Sequence, residues 1–240
     1  MNKLLTAAVL VCFASSAMAQ EAAAPKKWKD AAELSYIQTS GNSKTSTIAA
    51  KDLFNYDWEK AALEVMAGGL GTKSRNVVTS EQFSASEKVS WKFTGRNYTF
   101  EKAGWYKDRF AGIKDRYDIG VGLGRHIMDT ANDKLFAEAG FGYIWEDRTR
   151  SANESYGTYR GYAKYIRTLS ATANASQDFE YIGDMQDAKG YRMDAETAVV
   201  ASISTHFSLK ASHLWKFSNR PPPGFKKTDT MNSVAVIVNY

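Results

Sequence analysis

The chain has 240 residues, of which 44% are hydrophobic and 13% aromatic, and its formal charge is +5 at pH 7. Its basic residues are scattered, not clustered, which argues against a nucleic-acid partner, and after the N-terminus no stretch approaches the ~18 uninterrupted apolar residues of a membrane-spanning helix. The one cysteine, Cys12, lies in the leader described next; the mature chain is therefore expected to lack disulfides and cysteine metal ligands.

Lys3, the apolar run 4–14 and the small-x-small triplet Ala17-Met18-Ala19 read as a cleavable secretion signal, 1–19, with Gln20 as the first mature residue. Val11 stands where a lipoprotein signal would need Gly, Ala or Ser before Cys12, so a lipoprotein is not expected. Residues 20–27 read as a short linker and 28–240 as one domain.

Proline is confined to Pro25 and the run Pro221-Pro222-Pro223, so nothing between 26 and 220 is barred from a β-ladder. Gly and Asn/Asp/Ser clusters punctuate that stretch at short intervals. The pattern predicts about twelve strands: 28–39, 44–57, 60–71, 80–93, 97–109, 114–128, 134–147, 156–168, 171–183, 191–202, 206–218 and 228–240. Each has the length of a tilted membrane strand. Short turns (57–59, 94–96, 129–133, 169–170, 203–205) alternate with longer polar loops (72–79, 148–155, 184–190, 219–227), although 40–43 and 110–113, on the long-loop side, are also tight. This arrangement implies an all-β, up-and-down transmembrane barrel with its termini on the short-turn, periplasmic side.

Period two assigns the faces. Phe83, Ala85, Val89, Trp91 and Phe93 oppose Gln82, Ser84, Ser86, Lys88, Ser90 and Lys92; Tyr117, Ile119, Val121, Leu123 and Ile127 oppose Asp118, Gly120, Gly122 and Gly124. Phe207, Leu209, Ala211, Trp215 and Phe217 oppose Ser208, Lys210, Ser212 and Lys216. In the last strand Asn232, Val234, Val236, Val238 and the aromatic Tyr240 share a face, opposite Ser233, Ala235, Ile237 and Asn239. The apolar sets are assigned to lipid and the polar sets to the lumen, with Glu87 and Arg125 as exceptions on the apolar side. Trp28, Trp58 and Trp91 fall near one rim and Trp105, Trp145 and Trp215 near the other, as two interfacial girdles require.

Little catalytic chemistry is legible. In Gly120-Val121-Gly122-Leu123-Gly124 the glycines recur every second residue inside a strand, which is not a nucleotide fingerprint. With Gly140 and Gly142 they predict a bare inner wall able to take bulky groups from across the lumen. His126, His206 and His213 have no metal-ligand spacing and assemble no hydrolase site, so no catalytic, cofactor or metal residue is assigned. Acidic pairs (Asp178 and Glu180, Asp194 and Glu196) and basic pairs (Arg160 and Lys164, Lys210 and Lys216) lie on single faces of successive strands. Facing the lumen, they would either pair into a network that closes the barrel or line a narrow wet passage; the closed state is the preferred reading.

Four segments, 36–43 (Tyr-Ile-Gln-Thr-Ser-Gly-Asn-Ser), 108–113 (Asp-Arg-Phe-Ala-Gly-Ile), 120–124 and 221–230 (Pro-Pro-Pro-Gly-Phe-Lys-Lys-Thr-Asp-Thr), make the chain resemble the YdiY-like family of salt-induced outer-membrane proteins, whose function is unknown. The resemblance implies an outer-membrane barrel and brings no catalytic or ligand residues with it. The expected role is therefore an envelope structural protein or a narrow channel linked to salt or osmotic stress, with outer-membrane lipid, the export and barrel-assembly machinery and small ions or solutes as partners. Two alternatives are a soluble periplasmic barrel holding a lipid-like ligand and, less favoured, an outer-membrane lipid-modifying enzyme.

Overall fold

The computed structural model describes residues 27–40, 46–74, 77–109 and 111–240. The expected signal and nearly all of the linker lie outside the described residues, as does the tight turn after Ser40. Among the described residues are twelve strands: β1 (Trp28–Ser40), β2 (Ser46–Asp57), β3 (Ala61–Ser74), β4 (Val77–Lys92), β5 (Asn97–Asp108), β6 (Ile113–Asp129), β7 (Asp133–Arg148), β8 (Glu154–Ser170), β9 (Ala173–Asp184), β10 (Tyr191–Ser202), β11 (Phe207–Ser218) and β12 (Thr228–Asn239). Each pairs antiparallel with its neighbours in the chain, and β12 returns to pair with β1 through Leu34↔Val236 and Tyr36↔Val234. The barrel is closed, so among the described residues every strand is paired on both sides and none is left as a sheet edge.

The alternation sorts the side chains as period two requires. Tyr117, Ile119, Val121 and Leu123 of β6 are exposed on the outside, as are Phe83 and Trp91 of β4 and Phe207 and Leu209 of β11. The opposite residues, Lys88, Lys210 and Lys216 among them, face inward and make contacts inside the barrel. Arg125 pairs with Asn97, the first residue of β5, which places it at the short-turn rim. Glu87 stays on the exposed outer face between Val65 and Ala103.

Trp28 opens β1, Trp58 lies in the turn after β2, and Trp91 is one residue from the end of β4; these form the lower girdle. Trp105, Trp145 and Trp215 each stand three residues from the long-loop end of their strands. A run of ring contacts, Tyr159–Tyr181–Tyr191–Phe217–Trp215, carries the upper girdle across β8 to β11. Amphipathic rings at both rims are what a headgroup boundary selects.

One expectation is corrected. The polar stretch 72–79 is not a long loop: β3 runs to Ser74, β4 begins at Val77, and the hairpin pairs Lys73↔Val78 and Ser74↔Val77 past a register shift at Thr72/Lys73. Polar composition marks where a strand meets water, and it does not mark where backbone pairing stops.

The outer face can be tested directly. Val121 is 61% exposed and midway along β6. Val121→Arg is expected to destabilise the lipid-embedded barrel by about 2–4 kcal/mol, measured by urea unfolding in phospholipid vesicles.

Candidate functional site

The inner faces of β4 to β11 carry charges that meet across the lumen. Glu138 of β7 is fully buried and accepts from Lys88 of β4, from Tyr98 Oη of β5 at 2.8 Å and from Arg160 Nη1 of β8 at 2.8 Å. Arg160 Nε continues to Glu180 of β9 at 2.6 Å, and Lys102 of β5 approaches Glu180 at 3.9 Å. Five strands are thereby tied through one carboxylate and its neighbour. Phe100 supports the cluster, lying beneath the Lys88 ammonium at 5.1 Å and the Arg160 guanidinium at 5.7 Å. A second group sits nearer the long-loop rim, where Arg116 Nε donates to Glu146 at 2.6 Å and Arg148 donates to the other oxygen of the same carboxylate. A third joins Lys210 of β11 to Glu196 of β10 at 3.1 Å and to Glu33 of β1 at 3.5 Å.

The stripes expected from sequence therefore face inward and pair: Arg160 with Glu180, Lys164 with Asp178 at 3.9 Å, and Lys210 with Glu196. The hub, Glu138, was missed. Its one sequence signal was its place on the face of β7 that also carries Gly140 and Gly142. Each buried carboxylate has two or more donors, which is the condition under which such charges are tolerated away from bulk water.

The glycine patch behaves differently from expectation. Gly122 and Gly124 are covered, but by Phe100 and Tyr98 of the adjacent β5 and not by groups from across the lumen. A Cβ at Gly122 would meet the Phe100 ring, and one at Gly124 would meet Tyr98. The directly opposed cross-strand neighbour is nearer than anything on the far wall, so its ring lies down over the bare position. This puts Tyr98 Oη within reach of Glu138.

A further contact joins directly opposite walls. Lys216 Nζ of β11 donates to Tyr106 Oη of β5 at 2.9 Å, and Tyr106 donates to Asp108. β5 and β11 stand on opposite sides of the twelve-strand ring. Above this latch the loop 219–227 reaches across the mouth. Phe225 packs on Gly112, in the turn between β5 and β6, and the Arg150 guanidinium lies 5.2 Å from the Phe225 ring centroid. Gly112 has φ +73°, and the ring fills the space a side chain there would take. Asp108 Oδ1 holds this turn by accepting from Ala111 N at 3.1 Å. Arg220 pairs with Asp187 and Asn219 Nδ2 donates to Lys189 O at 3.0 Å, so the strap is also fastened to the β9–β10 loop. Two of the sequence segments singled out earlier, from distant parts of the chain, thus meet over one opening.

Beneath the strap is a cavity of about 1130 Å³, lined by Arg116, Arg192, Asp194 and Lys216 near its top and by Lys102 and Glu180 near its foot. Both charge signs line it. On the other side of the lumen Ile37, Ala49 and Leu70 pack with Met231 into a small apolar cluster. An interior lined by charges does not suit the lipid-like ligand of the soluble-barrel alternative.

The histidines do not converge. His126 packs, with its ring tilted, between Tyr98 and Phe136 at centroid distances of 5.5 and 6.0 Å, His206 lies in the β10–β11 turn beside Thr205, and His213 is on the outer face against Asn232. Among the described residues no group of three or more His, Cys, Asp or Glu side chains is arranged to hold a metal ion.

A closed antiparallel barrel with an apolar exterior, two aromatic girdles and a charged lumen defines the porin-like outer-membrane fold. The NanC porin superposes with a TM-score of 0.60 at 8% identity, covering 86% of this chain and 98% of that one. The translocator domain of the autotransporter NalP from Neisseria meningitidis superposes with a TM-score of 0.55 at 12% identity, covering 90% of each chain. At these identities the likeness is one of fold. The family model described as "Protein of unknown function, DUF481" matches residues 32–240, and the chain belongs to that family. The uncharacterized protein YdiY of Escherichia coli (strain K12) is 24% identical over 205 residues, which cover 85% of this chain and 80% of YdiY.

Removing the hub should be costly. Glu138→Ala leaves Lys88 and Arg160 without their shared partner and is expected to destabilise the barrel by about 3–5 kcal/mol. Denaturant unfolding of the refolded protein, followed by tryptophan fluorescence, measures the loss.

Proposed function

We propose that the protein is an integral outer-membrane barrel acting as a narrow, normally shut passage for small ions or solutes, exported with residues 1–19 removed. The observation that carries this reading is the Lys216–Tyr106 contact between opposite walls, with the Phe225 strap above it. A passage crossed by a side-chain latch admits little more than water until the latch parts. The KdgM porin, TM-score 0.52, has the same fold, and it has also been solved in complex with disordered oligogalacturonate. This lumen mixes acidic and basic groups in adjoining stripes, so we do not transfer an acidic saccharide to it.

The link to salt that the family resemblance implies has a physical counterpart. Exposed and partly exposed ion pairs weaken as the Debye length shortens from about 8 Å at physiological ionic strength toward 3 Å at 1 M. Lys88, Lys102 and Lys164 all keep part of their side chains open to water in the lumen. Rising salt would loosen the inner network and favour the open passage. The protein would then conduct under hyperosmotic conditions and stay shut otherwise.

Single-channel recording in planar bilayers tests this. Wild-type protein should show small, infrequent openings whose frequency rises with KCl more steeply than bulk conductivity. Lys216→Ala and Phe225→Ala should each open several-fold more often. Variants that conduct like wild type would refute the latch. Separately, Edman sequencing of protein from outer membranes should begin at Gln20.

A further inference from the structure

The outer face carries a feature that hydrocarbon does not explain. Gln177, Thr197, His213 and Asn232 stand directly opposite one another on β9, β10, β11 and β12, and all four are exposed. Thr197 Oγ1 donates to Gln177 Oε1, Gln177 Nε2 donates to Asp178 O at 2.9 Å, and His213 Nδ1 donates to Asn232 Oδ1 at 2.6 Å. They form a polar row across four strands, set among Phe179, Val199, Leu209, Val234 and Val236. Among the described residues, His213 Nε2 and Asn232 Nδ2 make no hydrogen bond.

The opposite wall carries the complement. Glu87 of β4 and Glu101 of β5 are exposed on the outer face, among Val65, Val89, Ala103 and Val121. Neither makes an ion pair among the described residues. The depths are close: Glu87 lies five residues from the short-turn end of β4, and Thr197, His213 and Asn232 lie five, six and seven from those of β10, β11 and β12. Glu101 and Gln177 are each four residues from the corresponding ends of β5 and β9. Copies inserted by one route share one orientation, so the two patches of neighbouring molecules come to the same level.

We infer that these patches form an interface between copies of this chain, the Gln177–Thr197–His213–Asn232 row of one barrel meeting Glu87 and Glu101 of the next. One side offers amide N–H donors at Gln177 and Asn232 and, at His213 Nε2, a ring nitrogen that can bond a carboxyl group through one shared proton; the other offers the carboxyl groups of Glu87 and Glu101. Facing lipid, both leave hydrogen-bonding groups in a medium with no partners for them; facing each other, they satisfy one another. Because β4–β5 and β10–β11 lie on opposite sides of the ring, the contact is head-to-tail and does not close. It generates rows of parallel barrels in the membrane plane.

The test is cysteine cross-linking in intact cells. The double variant Glu101→Cys/His213→Cys, oxidised in place, should give dimers and higher bands on non-reducing electrophoresis, and reductant should collapse them. A control pair on two other opposed walls, Leu34→Cys/Phe141→Cys, should give at least five-fold less. Monomers alone, equal ladders from both pairs, or a single adduct with a different protein overturns the proposal. If the double variant fails to fold, formaldehyde cross-linking of wild type and His213→Leu decides. Wild-type multimers that fall at least five-fold in His213→Leu support the interface, and their absence in wild type or persistence in the variant refutes it.

Discussion

Hydrocarbon gives a peptide group nothing to bond to, so a sheet that presents an apolar exterior to it must have no edge. The pairing of β12 with β1 meets that requirement, and the rest of the structure follows from it. Closure gives every strand an inside and an outside. It also confines the inward side chains within a ring of twelve strands, wider than an eight-stranded barrel filled by its own side chains and much narrower than an open porin of 16–18. Long side chains at that width reach one another, which is why Lys216 meets Tyr106 from the opposite wall.

The glycines of β6 and β7 then acquire a reason. Gly122 and Gly124 let Phe100 and Tyr98 lie against the wall, and those rings place a hydroxyl and two cation-binding faces around Glu138. Bare backbone on one strand is thus converted into a preorganised charge cluster on the next. The same logic recurs at the mouth, where Gly112 leaves room for Phe225. In both places a missing side chain determines where an aromatic ring sits.

Much of the fold was legible because alternation is a local signal. Val121, Leu123 and their neighbours declare their face by period two, and the tryptophans declare the two rims. The stretch 72–79 misled because polar composition does not mark where backbone pairing stops: β3 and β4 stay paired as far as Ser74↔Val77. The acidic and basic stripes were visible for the same local reason as the strands. Their partners were less so: Lys88 and Glu138 are 50 residues apart, and Tyr106 and Lys216 are 110. No spacing rule joins residues whose meeting depends on barrel circumference and stagger.

The sequence by itself determined the period, the number of strands, the two girdles and which residues of β4, β6 and β11 face out, because each depends on residues within one hairpin. The tertiary structure alone decided that Glu138 is a hub, that the strap lands on Gly112, and that a polar row on β9 to β12 stands at the level of two glutamates on the far wall. Those relations exist only after twelve strands have closed, when positions remote in the chain are brought to a common height around one axis.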